Sequence, residues 1–116
     1  ENLELSNSTI KFIKSAMSDA VNLETGTAYK SRIRDGNVKV YAKTGTAQIS
    51  AKDVNNINKK ATHAWYAGFL EFSENEKISI VIMLEKGGSG GDEAALIAKE
   101  IFREVIDINS QDSFYD

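Results

Sequence analysis

The chain has 116 residues, 41% hydrophobic and 27% charged, which fits one globular domain or part of one. A net charge of −3 and a pI near 5.2 leave no basic excess, so nucleic acid is not an expected partner. The absence of cysteine removes disulfide frameworks and thiolate zinc sites, and it suits an exported or a cytosolic protein equally.

The first recognisable element is "SNSTIKFIKSAMSDAVNL". Its apolar residues Ile10, Ile13, Met17, Ala20 and Val21 recur at helical spacing, which predicts a helix over 8–22 capped by Ser6 or Ser8. "ETGTAYK" follows, where Gly26 permits a sharp change of direction. "NVKVYAKTGTAQI" alternates, with Val38, Val40 and Ala42 on one face, and predicts a strand over about 38–49. The polar run "SAKDVNNINKKAT" reads as a loop. "HAWYAGFLEF" (63–72) and "ISIVIMLE" (78–85) flank "SENEK" and signal a hairpin.

"KGGSGG" then breaks the chain before "DEAALIAKEIFREVID", a predicted helix over 92–107 with Asp92 as N-cap and Glu93 in the first turn. Ala94, Ile97, Ala98, Ile101, Phe102 and Val105 form its apolar face. Ile97, Ile101, Phe102 and Val105 are expected to pack on the sheet. Residues 109–116 read as a frayed tail. The expected fold class is α+β, an antiparallel sheet with flanking helices, in one unit over 1–116.

The third strand is apolar on both faces: Ile78, Ile80, Ile82 and Leu84 on one, Val81 and Met83 on the other. Such a strand requires cover on both sides, and a single C-terminal helix supplies only one. The longest apolar run, "IVIML", is far too short to span a bilayer. With neither an initiator Met nor a signal peptide, the chain reads as a segment of something longer, with any membrane anchor outside it.

K-T-G at Lys43–Gly45 is a weak motif alone. An edge-strand lysine that discourages aggregation, among threonines that favour β structure, would explain it. Its context is more specific. "GTAYKSR" precedes "AKTGTAQ", and "HAWYAGF" and then "LEKGGSGG" follow before the last helix. K-T-G is among the signatures of penicillin-binding proteins and class A β-lactamases. Taken together, these motifs resemble the C-terminal part of a class B penicillin-binding protein transpeptidase domain, of the elongation type called penicillin-binding protein 2. The resemblance covers nearly the whole chain.

It implies a penicillin-binding protein/serine β-lactamase-like fold and a serine acyl-enzyme. That enzyme would act on the D-Ala-D-Ala end of a peptidoglycan stem peptide, bind β-lactams and need no cofactor. The peptide could add itself to the edge of the strand that bears Lys43, Thr44, Gly45 and Thr46. Gly45 would leave its approach open, Lys43 would supply positive charge, and the hydroxyls of Thr44 and Thr46 would hold the carboxylate. The resemblance also makes the Thr46 backbone N–H an oxyanion donor. It implies a cell-envelope location, extracytoplasmic, with the remainder of the transpeptidase domain as partner.

The nucleophile is the gap. "STIK" (Ser8–Lys11) matches S-x-x-K, but it lies where the resemblance places the helix preceding the K-T-G strand. "SEN" (Ser73–Asn75) matches S-x-N, but it follows K-T-G. Neither is accepted, so the isolated chain is expected to be inactive. His63, the single histidine, has no serine or carboxylate placed beside it by motif and reads as packing near Trp65 and Tyr66. "GGSGG" lacks the ending of a Walker A loop and reads as a flexible turn bordering the cleft. Glu74, Glu76, Asp92 and Glu93 read as solvated turn and cap residues with no metal-ligand spacing. Two alternatives stay open: a related D,D-carboxypeptidase or β-lactamase, and a non-catalytic binding or assembly module of the same fold.

Overall fold

The computed structural model describes residues 2–49 and 62–112. The predicted loop, apart from Thr62, and the last four residues of the predicted tail lie outside the described residues.

Helix α1 runs Asn7–Asn22. Ser6 is its cap: the hydroxyl accepts the Thr9 N–H at 3.2 Å, while Ser8 lies inside the first turn. The chain leaves α1 by folding tightly back on it at Gly26. A Cβ there would sit 2.2 Å from the Ala20 carbonyl oxygen, so only glycine fits. A 3₁₀ turn, Tyr29–Ser31, follows and was not foreseen.

Strands β1 (Lys39–Gln48), β2 (Thr62–Ser73) and β3 (Glu76–Leu84) form one antiparallel sheet in the order β1-β2-β3. The register pairs Lys43 with Ala67, Gly45 with Trp65, Ala67 with Val81 and Trp65 with Met83. The hairpin is tighter than "SENEK" suggested: Ser73 pairs with Glu76, leaving Glu74 and Asn75 as the turn.

Because side chains alternate across a strand, this register assigns the sheet two unlike faces. Val40, Ala42, Ala64, Tyr66 and Leu70 point into the core, where they meet Val21, Ala28, Ala98 and Phe102. Trp65 (41% exposed), Val81 (69%) and Met83 (47%) stand on the other, open face. On β3 itself, Ile80, Ile82 and Leu84 are partly buried against the core, whereas Ile78, on the same face, is 44% exposed, so the cover expected on that side is incomplete.

The last helix departs from expectation in three ways. It opens with a π-turn, Gly90–Ala94, capped by Ser89 rather than by Asp92, and continues as α2 over Ala95–Asp112. Residues 109–112 are thus helical rather than frayed. Its inward face is Ala94, Ala95, Ala98 and Phe102, with Val105 and Ile106 at the margin. Ile97 and Ile101, expected to pack, are 39% and 40% exposed. The cause is local. The wider π-turn shifts the helical phase from that of a regular helix begun at Asp92, and the alanines bring the helix axis close to its neighbours.

Candidate functional site

The four residues of K-T-G-T lie on β1, which is an edge strand among the described residues. Lys43 is exposed, on the open face with Gly45, Trp65, Ala67 and Val81. Its ammonium donates to the Thr44 carbonyl and has no carboxylate partner among the described residues. Thr44 and Thr46 point the opposite way. Thr46 is exposed, but Thr44 is buried on the core side, in phase with Val40 and Ala42. Lys43 and Gly45 are thus accessible from one face and Thr46 from the other, meeting only along the strand edge, whereas the Thr44 hydroxyl lacks the open surface expected of a direct contact.

Gly45 is not required by its own fold. A Cβ there would meet nothing closer than the Trp65 Cβ at 3.4 Å, a contact an alanine can make with a slight adjustment. Gly90 is the reverse case, since its added Cβ would lie 2.1 Å from the Trp65 carbonyl oxygen and 2.7 Å from that of Gly45. The glycine loop therefore rests directly on the backbone of β1 and β2 at K-T-G, and Gly90 is buried there.

Several contacts seat that loop. The Lys86 N–H donates to His63 Nδ1 at 3.1 Å, the Thr62 hydroxyl to the Gly88 carbonyl at 2.8 Å, and the Gly88 N–H to the Thr62 carbonyl at 3.2 Å. His63 is accordingly an anchor for the turn after β3, and its Nδ1 is already engaged. Asp92, read from sequence as a cap, pairs with Lys30 at 2.5 Å and ties the π-turn to the 3₁₀ turn.

Beneath β2, the fully buried Tyr66 hydroxyl donates to Ser31 Oγ at 2.9 Å, and Ser31 Oγ donates to the Ala28 carbonyl at 2.7 Å. Burial pushes the Tyr66 phenol up to about 12. This chain of hydrogen bonds explains "GTAYKS" structurally: Gly26 allows the segment to lie against α1, and Ser31 satisfies the one polar group that β2 sends into the core. The inward parity of Tyr66 could have suggested a hidden partner, because buried tyrosines find one. Nothing in the spacing identified Ser31.

At the far end of β1, Lys14 from α1 lies over the stacked rings of Tyr41 and Phe69, 4.9 Å from the Tyr41 centroid, and pairs with Glu71 at 2.8 Å. The hydrogen bond from Lys14 holds the Glu71 carboxyl below its usual range, and the same bond holds Lys14 above its own. Lys77 adds a second, longer contact to Glu71 at 3.6 Å.

The residues rejected from sequence take no part here. Ser8 shares a hydrogen bond with Ser6 on the exposed first turn of α1, and Ser73 and Asn75 sit at the hairpin turn. Among the described residues no group of acidic or histidine side chains could hold a metal ion.

K-T-G is a signature of penicillin-binding proteins and class A β-lactamases, and here it lies on an edge strand, among the described residues, of an α+β sheet with a glycine loop seated on it. The chain belongs to the penicillin-binding protein transpeptidase domain family, whose profile matches residues 1–107. It is similar to the peptidoglycan D,D-transpeptidase MrdA of Haemophilus influenzae, 34% identical over 95 residues, an overlap covering 76% of this chain and 14% of that protein. MrdA of Salmonella typhimurium is 32% identical over 102 residues, covering 82% of this chain and 16% of that protein. The chain thus spans a small part of the length of these relatives. A crystal structure assigned as a peptidoglycan glycosyltransferase from Atopobium parvulum superposes with a TM-score of 0.66 at 20% identity, over 87% of this chain and 23% of that one. That likeness concerns the fold alone.

Proposed function

We propose that this segment is the substrate-binding edge of a peptidoglycan D,D-transpeptidase that works through a serine acyl-enzyme, with the serine supplied from outside these 116 residues. The supporting observation is the state of β1. Lys43 stands on an open face without a carboxylate partner among the described residues, beside a glycine whose missing side chain the fold itself does not demand. A cation without a carboxylate partner and a strand edge unpaired among the described residues suit an extended peptide that ends in a carboxylate.

On this reading Lys43 supplies positive charge to the reacting site and the Thr46 hydroxyl holds the terminal carboxylate of a D-Ala-D-Ala stem peptide or a β-lactam. The Thr46 backbone N–H is one oxyanion donor. Thr44 contributes through its backbone, since its side chain lies in the core. The seated glycine loop borders the same strand and limits how far a ligand can extend. The 116-residue chain by itself is inactive, because the acylated hydroxyl is not part of it. The enzyme acts on the extracytoplasmic side of the bacterial envelope, attached to the membrane by a region outside this segment.

The test is acylation of the intact protein by a fluorescent penicillin. Lys43→Ala and Thr46→Pro are expected to slow it sharply, the latter on the order of 10²–10³ because it removes an oxyanion donor. Unchanged acylation in both variants would refute this assignment.

A further inference from the structure

A cleft of about 580 Å³ opens between the segment after the 3₁₀ turn and the first half of α2, away from the K-T-G face. It gathers five cations, Lys30, Arg32, Arg34, Lys99 and Arg103, in a chain whose net charge is −3. Two of them are compensated: Lys30 by Asp92 at 2.5 Å, and Arg103 by Glu100 at 3.6 Å. Arg32, Arg34 and Lys99 have no carboxylate within ion-pair distance among the described residues. Arg32 instead lies over the Tyr29 ring, 5.7 Å from its centroid. The rest of the lining is apolar: Tyr29, Ile33 and Leu96, the last 48% exposed.

Concentrating positive charge on one side of an acidic chain costs mutual repulsion, which only the contact of Arg32 with Tyr29 offsets within the fold, since Arg34 and Lys99 have no carboxylate partner among the described residues. We infer that the cleft between Tyr29–Arg34 and Leu96–Arg103 is a docking site for a short acidic peptide segment of a partner protein, one that carries an apolar side chain among its carboxylates.

The shape selects this ligand class. The volume falls within the range of sites that enclose several groups at once, so a lone inorganic anion would leave most of it empty. Planar guanidinium groups suit bidentate pairing with carboxylates, while Leu96, Ile33 and the Tyr29 ring offer apolar contact between the charges. Because the cleft is concave, a flat bilayer surface could not engage both of its walls together.

The probe is fluorescein-labelled acetyl-Glu-Glu-Leu-Phe-Asp-Glu-amide, titrated by fluorescence anisotropy against the intact protein that carries this segment. Binding is expected at about 50 mM salt and should weaken as added salt screens the cleft. The double variant Arg34→Glu/Lys99→Glu should weaken it about ten-fold or more, because two attractions become repulsions. The charge-conserving Arg34→Lys/Lys99→Arg should stay within about three-fold of the parent, and Lys11→Glu, on exposed α1, within about two-fold. A glutamine-substituted peptide should not bind, and equal unfolding temperatures for all variants exclude misfolding as the cause. The inference is overturned if the acidic peptide does not bind, or if Lys11→Glu weakens binding as much as the double variant does. It is also overturned if vesicles rich in phosphatidylglycerol, and not the peptide, respond to the cleft variants.

Discussion

Ser31→Ala is a one-atom deletion whose effect can be worked out from the structure. It removes the acceptor of the fully buried Tyr66 hydroxyl, which then has no other partner among the described residues. A buried polar group left unsatisfied costs about 1–3 kcal/mol. The Ala28 carbonyl, which also loses the Ser31 hydroxyl, keeps the Ser31 backbone N–H at 2.9 Å, so no second penalty is added. Tyr66→Phe should cost less, about 0.5–1.5 kcal/mol, because Ser31 retains its own donation to Ala28. The double variant should fall well short of the sum, since it leaves no orphaned group.

Alkaline pH provides a second handle on the same contact. The folded-state phenol is raised from 10.0 to about 12, so the unfolded chain ionises first and stability falls between those values. The fall amounts to about 2–3 kcal/mol over that window and should be missing from Tyr66→Phe. Urea unfolding of the domain at several pH values measures all of this. If Tyr66→Phe were the costlier single change, or if the two changes were additive, the hydrogen-bond chain would not be what holds the 3₁₀ segment under β2.

Four further outcomes are expected. Gly45→Ala should fold normally, or gain about 0.5–1 kcal/mol as glycine leaves a strand, yet lose penicillin acylation; Gly90→Ala should cost about 1–3 kcal/mol by driving a methyl into two carbonyl oxygens, as thermal unfolding can measure. Glu71→Gln should flatten the acid limb of the stability curve: a carboxyl held below its usual value stabilises the fold above about 4.5, and that contribution disappears as pH falls through the folded-state value. The isolated 116-residue chain, with Trp65, Val81 and Met83 on an open face and an edge on β3 unpaired among the described residues, should self-associate or unfold readily. A tight monomer of high unfolding temperature in sedimentation and melting experiments would contradict this.

Much of the fold was legible because strand alternation needs only neighbouring residues. Val40 and Ala42 marked the inward face of β1, and the same parity should have placed Thr44 beside them. Its burial was present in the pattern but was overshadowed by the motif. The face of α2 was legible in part: Ala94, Ala98 and Phe102 are inward and only Ile97 and Ile101 are not, while the π-turn that opens the helix rests on Trp65 and Gly45, a contact that nothing in "GGSGGDEA" announces. Partners far apart in sequence, such as Tyr66 with Ser31 or Lys30 with Asp92, were equally invisible, because periodicity reports burial but not which groups meet. The motif behaved oppositely: K-T-G-T and the glycine loop stand out by residue type, while their mutual contact appears only in three dimensions.

The central proposal is that these residues form the receptor strand of an acyl-enzyme whose serine lies elsewhere. Mapping the adduct by mass spectrometry tests it most directly: acylate the intact protein with a penicillin, digest it and locate the added mass. The expected result is a single modified serine outside the 116 residues, with the adduct yield reduced by Lys43→Ala. An adduct on a serine within this segment, lost in Ser8→Ala, would contradict the account.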